Sequence, residues 1–225
     1  MTPRGFDAVI FDMDGVLCDS EPFIAAAAAE MLRRRYGIAA TREDFVPFVG
    51  AGEDRFISGA AGRHGVTVEL AIDKPLTYDI YLELIQGSLQ PIKGAPEFLA
   101  AARAAGLRLA LATSSGRPKL DGNLAAVGIP ESTFEVVVSA EDVTHKKPDP
   151  ETFLCAVERL GLPASRCLVV EDAPNGVQAA RAAGCSVLGI TSSQPPAVLL
   201  DEGAMAVAAD FTAIPAELRA ALGLD

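Results

Sequence analysis

Four short clusters of residues have the types and spacing to do chemistry. Asp12-Met13-Asp14-Gly15 follows the apolar run Ala8 to Phe11. Residues two apart in an extended chain face the same way, so this spacing sets two carboxylates side by side. Such a pair repels unless a cation or a shared proton lies between its members. Thr113-Ser114-Ser115-Gly116 offers hydroxyls and backbone N–H groups suited to a phosphate-like oxyanion. Lys147-Pro148-Asp149-Pro150 gives a lysine a defined place, because proline restricts the backbone around it. Lys146 is adjacent, and spacing does not choose between the two lysines. Glu171-Asp172, ahead of Ala173-Pro174-Asn175-Gly176, supplies the hard oxygen ligands that Mg²⁺ prefers. Each cluster also has a plain reading: a polar turn, an exposed lysine, or an aspartate capping a helix.

The elements that must position these residues follow from patterning. Ala8–Asp12, Leu107–Thr113, Phe134–Val138, Cys167–Glu171 and Ser186–Ile190 are short apolar runs rich in β-branched residues, and read as buried strands. Between them, Pro96–Ala105, Pro118–Val127, Pro150–Leu160 and Asn175–Ala183 read as helices, each ending near a glycine. Alternating strands and helices predict an α/β fold, a Rossmann-like parallel sheet with helices on both faces. The acids and hydroxyls then end strands and converge on the sheet's carboxyl edge, where ligands bind in such folds. From Pro22 to Leu89 no strand is evident, and Ala25–Tyr36, Asp44–Ser58 and Lys74–Gly87 read as helical. The predicted organisation is a catalytic core of residues 1–21 and 90–225 with a small all-helical cap domain at 22–89. The connections between them fall near Ser20–Pro22 and Gln90–Gly94.

Composition narrows the function classes. The chain has 225 residues, 50% hydrophobic and 22% charged, as in ordinary globular proteins of one or two domains. Its apolar runs fall short of the roughly 20 residues that span a bilayer. Met1 to Ile10 contains Arg4 and Asp7 and shows no secretory pattern. A net charge of −11 argues against non-specific nucleic-acid binding and anionic membranes. A phosphorylated ligand stays compatible, because a divalent cation reverses the sign locally. The four cysteines show no CxxC spacing, so reduced buried thiols are expected rather than zinc ligands or disulfides. The expected protein is a cytoplasmic monomer whose partner is a small phosphorylated metabolite, with no nucleic acid and no membrane.

In this order the segments Phe11 to Pro22, Ala112 to Ser115, Lys147 to Pro150 and Val170 to Gly176 resemble the four motifs of the haloacid dehalogenase superfamily. The branch resembled carries a helical cap after the first motif. It includes β-phosphoglucomutase, phosphoglycolate phosphatase and many sugar-phosphate phosphatases. The resemblance spans essentially the whole chain and is far more specific in the core than in the cap.

The resemblance implies a Mg²⁺-dependent phosphoric monoester hydrolase working through an aspartyl phosphate. Asp12 is then the nucleophile, and Asp14 the general acid and later the general base, with the higher pKa of the two. Thr113 bonds the transferring phosphoryl oxygens, and Lys147 neutralises charge. Asp12, Asp172 and the Asp14 carbonyl hold Mg²⁺, with Glu171 a ligand directly or through water. Ser114, Ser115, Gly50, Glu53 and Asn175 fall at the substrate. The cap departs from relatives in two places. Many have a histidine where this chain has Ile24, and phosphoglucomutases have a phosphate-binding arginine where it has Glu53. Arg55 and Lys93 are weaker candidates for substrate contact than for exposed charge, and His64 and His145 are expected at the surface. The alternatives are a phosphosugar mutase, an inorganic pyrophosphatase and an inactive phosphometabolite-binding module. Haloacid dehalogenation, which needs no metal, is disfavoured by Asp14 and Asp172.

Overall fold

The computed structural model describes residues 5–49 and 52–224. Its strands are β1 (Ala8–Phe11), β2 (Arg108–Ala112), β3 (Val136–Val138), β4 (Cys167–Glu171), β5 (Ser186–Ile190) and β6 (Ala206–Ala208). They form one sheet in the order β3-β2-β1-β4-β5-β6, and every pairing is parallel. The order runs outward in both directions from the β1/β4 pair, so the switch point of the sheet lies there. Phe11 is level with Leu111 on one side and Val170 on the other. The residues that follow, Asp12, Ala112 and Glu171, therefore emerge together.

Alternate strand residues go to opposite faces. Val9, Phe11, Leu109, Leu111, Leu168 and Val170 belong to one core with α5 (Ala95–Ala104) and α10 (Ala216–Leu222). Ala8, Ile10, Ala110, Val169 and Val187 belong to another with α7 (Glu151–Leu160), α8 (Pro174–Ala182) and α9 (Pro196–Asp201). The layered α/β architecture expected from the patterning is thus present. Phe11, fully buried, meets Phe98 and Phe134 edge-on, with ring centroids 6.0 and 6.3 Å away. Burying a ring of this size stabilises by about 2 to 3 kcal/mol and fixes the strand end that carries Asp12.

Residues 22–89 contain no strand among those described. Their helices are α1 (Glu21–Tyr36), α2 (Arg42–Phe45), α3 (Glu53–Arg63) and α4 (Leu70–Ile85); α6 (Arg117–Ala126) follows β2. The mostly helical stretch expected at Asp44–Ser58 is divided between two helices. Pro47 lies in a single 3₁₀ turn at Val46–Phe48, and Gly52, at φ 81°, starts α3 anew. Neither β6 nor α9 and α10 was expected from the sequence. The buried Asp73 pins α1 to α4, accepting from Glu69 N–H at 2.8 Å, Arg35 at 2.9 Å and the Tyr36 hydroxyl. The insert leaves and rejoins the core at one place, where Cys18 bridges Pro91 and Ile92 N–H donates to Leu17 O at 3.0 Å.

All four cysteines are free. Burial pushes the Cys167 thiol up to about 11 and the Cys185 thiol up to about 12. Alkylation proceeds through the thiolate, so these thiols should resist it in the native protein. Iodoacetamide at pH 8 is expected to label Cys155, the half-buried one, first, and all four only after denaturation. Mass spectrometry of the labelled peptides checks this; rapid native labelling of Cys167 or Cys185 would contradict the packing.

Candidate active site

Asp12, Glu171 and Asp172 are buried together at the sheet's switch point. Lys147 Nζ lies 2.5 Å from Asp12 Oδ1 and 2.8 Å from Glu171 Oε1, and donates to Ala112 O at 3.3 Å. It also lies 4.5 Å from the centre of the Phe153 ring. Burial opposes the charge on Lys147, but Asp12 and Glu171 outweigh it and hold the ammonium above its usual range. The choice between neighbouring lysines is thereby made: Lys147 enters the site, while the Lys146 side chain turns toward Gly52 of the insert. The peptide between Lys147 and Pro148 is cis.

One lysine stands among three carboxylates here and contacts two of them, Asp12 and Glu171. Burial, followed by Glu171 and Asp14, raises Asp12 to about 7 against the pull of Lys147. Burial, Glu171 and Asp12 push Asp172 well above the carboxylate range. Glu171 Oε2 is occupied by the N–H groups of Asp172 and Ala173, at 2.7 and 2.9 Å. Asp172 has no lysine or arginine partner among the described residues; its Oδ2 accepts from the Ser192 hydroxyl at 3.4 Å. Glycine is required at two neighbouring points. A Cβ on Gly15 (φ 76°) would fall 2.0 Å from Asp172 Oδ2, and one on Gly176 would fall 1.7 Å from Glu171 Oε1. This buried excess of oxygen donors over positive charge fits a hard divalent cation such as Mg²⁺. Since Lys147 and backbone N–H groups already engage both Glu171 oxygens, Glu171 suits a ligand acting through water.

Asp14 lines the same cavity but belongs to a second set of partners. Its Oδ2 accepts from the Ser115 hydroxyl at 2.6 Å and lies 2.8 Å from Lys119 Nζ. Its Oδ1 accepts from Ser20 and, at 3.3 Å, from Asn123 Nδ2. The two aspartates are therefore not an unpaired couple; each has its own lysine. The expected proton order is also reversed. Burial works to raise the Asp14 pKa, but Lys119, Ser115 and Ser20 outweigh it and leave the group lowered. The reason is Lys119, which the sequence reading did not single out.

Thr113 and Ser115 are buried and Ser114 half-buried, all three on the cavity wall. Thr113 N–H pairs with Val138 O at 3.0 Å, and its Oγ1 accepts from Ser115 N–H at 3.1 Å. Ser192 and Ser193 were also missed: Ser192 donates to Gly15 O at 2.5 Å, and Ser193 to Asp172 O at 2.9 Å. A signal existed, since Thr191-Ser192-Ser193 closes β5 as Thr113-Ser114-Ser115 closes β2.

The cavity, about 120 Å³, continues between the core and the insert, where Ile24, Phe48, Val49 and Phe56 give it apolar walls. Glu53 opens α3 inside it and is buried. Its Oε2 accepts from the Tyr78 hydroxyl and lies 3.7 Å from Lys74; its Oε1 lies 3.7 Å from Lys119 and has no hydrogen-bond partner. Gly50 falls outside the described residues. Asn175 sits half-buried in the first turn of α8, and is not among the residues facing the cavity. Arg55 is exposed and lies over Phe48, 5.9 Å from its ring centre, and Lys93 faces Asp210 at 3.8 Å. His64 and His145 pair with Asp44 and Glu151 at 3.0 and 2.9 Å, both exposed.

A parallel sheet with paired acids at its switch point, a hydroxyl cluster and a buried lysine defines a class. Residues 6–184 match the family described as haloacid dehalogenase-like hydrolase, and the chain belongs to it. The phosphoglycolate phosphatase of Yersinia pestis is 33% identical over 192 residues, covering 84% of this chain and 82% of that protein. The chloroplastic SUPPRESSOR OF QUENCHING 1 protein of Arabidopsis thaliana is 39% identical over 199 residues, 87% of this chain. The chain spans about a fifth of that relative's length, 19%. CbbY from Rhodobacter sphaeroides, solved in complex with phosphate, superposes with a TM-score of 0.81 at 25% identity, over 92% of this chain and 95% of that one. The expected enzyme class, a phosphoric monoester hydrolase, is borne out by the family match and the phosphoglycolate phosphatase relative. Among the described residues no helix is long and apolar enough to cross a membrane.

Proposed function

We propose that the chain is a Mg²⁺-dependent phosphatase that hydrolyses a small sugar or polyol monophosphate through an aspartyl phosphate. The observation that carries this reading is the buried Asp12–Lys147 contact of 2.5 Å beside Asp172, which has no lysine or arginine partner among the described residues. Asp12, Asp172 and the Asp14 carbonyl would hold Mg²⁺. Bound there, the ion supplies the charge neutralisation that lets a phosphate dianion approach a carboxylate. Asp12 forms a bond to phosphorus as the ester P–O bond breaks; Asp14, whose pairing with Lys119 favours its ionised form, takes up a proton as the negative phosphate enters beside it and gives that proton to the departing alkoxide. Water then attacks the aspartyl phosphate and gives its proton to Asp14, so Asp12 is regenerated and inorganic phosphate leaves. Thr113 and Ser114 offer hydroxyls to the phosphoryl oxygens.

The far side of the cavity supports the substrate class. Lys74 and Lys119 both already face Glu53, and Lys119 faces Asp14 as well. A second phosphate would meet the Glu53 carboxylate, whereas a hydroxyl can donate to its unpartnered Oε1. Phosphate release should therefore be measured over sugar and polyol monophosphates, phosphoglycolate, a sugar bisphosphate and pyrophosphate. A monophosphate bearing hydroxyls is expected to lead. Glu53→Ala should lower kcat/KM for it by about tenfold or more, the loss of a charged hydrogen bond, and much less for a small aryl phosphate. β-Glucose 1-phosphate followed by NMR should not isomerise at a useful rate; efficient conversion to glucose 6-phosphate would favour a mutase instead. Free thiols suit a reducing compartment such as the cytoplasm.

A further inference from the structure

Lys119 is a buried cation with no part in the reaction steps above. It sits in the first turn of α6, four residues beyond Ser115, and only 3% of its surface is exposed. Burying an ammonium is costly unless partners surround it. Its partners are Asp14 at 2.8 Å, the Ser115 hydroxyl at 3.1 Å and, from the insert, Glu53 at 3.7 Å. The Tyr81 ring lies 5.7 Å from the ammonium. One turn further along α6, Asn123 donates to Asp14 and accepts from the Tyr81 hydroxyl. The insert thus reaches Asp14 by two routes, Glu53 through Lys119 and Tyr81 through Asn123. Both pass through one face of α6, where residues four apart lie together.

We propose that Lys119 is a positioning residue that, with Asn123, holds the Asp14 carboxylate where it serves the leaving group, and that the insert sets this position through Glu53 and Tyr81. The proposal rests on the general-acid role given to Asp14 above. Lys119 acts through Asp14, so its removal should hurt most where the departing oxygen most needs a proton. An alkyl phosphate needs one; an activated aryl phosphate, whose leaving anion is stable, needs it far less.

The test uses Lys119→Met, which keeps the aliphatic stem, on glycerol phosphate, phenyl phosphate and p-nitrophenyl phosphate. Loss of a positioned general acid lowers rates by about 100-fold or more, so a fall of that order in kcat is expected on glycerol phosphate, and one at least tenfold smaller on p-nitrophenyl phosphate. Tyr81→Phe, a nearly isosteric change, should show the same graded pattern at smaller size. In a crystal structure of Lys119→Met, the Asp14 carboxylate is expected to have left Ser115 and Asn123. Equal losses across the three substrates, or an Asp14 that keeps its place in the variant, would overturn the proposal. If the wild type turned over no monophosphate at all, the phosphatase reading would fall. The position of Asp14 in the variant crystal would then decide the Lys119 proposal alone.

Discussion

Asp12→Asn is expected to abolish phosphate release while leaving the protein folded. The amide is nearly isosteric with the carboxylate and keeps an oxygen for Lys147, so the surroundings need not move. It is a poor nucleophile, and losing a covalent nucleophile lowers turnover by several orders of magnitude. Removing one negative charge from a cluster of three carboxylates, of which two contact Lys147, should also leave stability intact or raise it. The check is kcat beside a thermal melt. Residual activity above about a tenth of wild type, a loss under ~1.4 kcal/mol in the barrier, would show that Asp12 lacks this role. A collapsed melting temperature would show a structural role instead.

Asp172→Ala should separate metal binding from folding. Without added metal the variant is expected to be at least as stable as wild type, because burial and like charges already disfavour the Asp172 carboxylate. With Mg²⁺ the order should reverse. A ligand at 100 times its Kd stabilises the native state by about 2.7 kcal/mol, so millimolar Mg²⁺ should raise the wild-type Tm by several degrees and leave the variant nearly unmoved. Activity should fall by about 100-fold or more, with only partial recovery at high Mg²⁺, since the ion's charge stabilisation is worth several kcal/mol. Chelation of the wild type should stop turnover, and Mg²⁺ should restore it. Full activity after exhaustive chelation would remove the metal from the scheme.

The parts of the fold that were legible from sequence are those whose burial writes itself into composition. Cys167–Glu171 and Ser186–Ile190 are continuous apolar runs, and β4 and β5 have the expected bounds. Ala206–Ala208 was invisible as a strand because three residues, two of them alanine, carry neither periodicity nor β-branching beyond Val207. The motif residues could be read because several chemically unusual clusters fell at strand ends in one order. Lys119 could not, because a lysine on a helix ordinarily faces water. The approach of Asp14, of Glu53 on α3 and of Tyr81 on α4 encloses it, and that is a tertiary fact. The lowered Asp14 follows from the same unseen lysine, and the raised Asp12 from its burial beside Glu171.

The bridge between Cys18 and Pro91 bears on how such a protein can change over time. Because the polypeptide departs from the sheet and comes back at adjacent points, residues 22–89 can lengthen, shorten or be exchanged without shifting β1 against β2. The reacting groups and the groups that choose among molecules can then diversify at different rates. The freedom has one limit in this chain. Tyr78 and Tyr81 make hydrogen bonds to Gly116 and Asn123, so a transplanted insert that lacked them would arrive with its recognition surface and without its hold on α6.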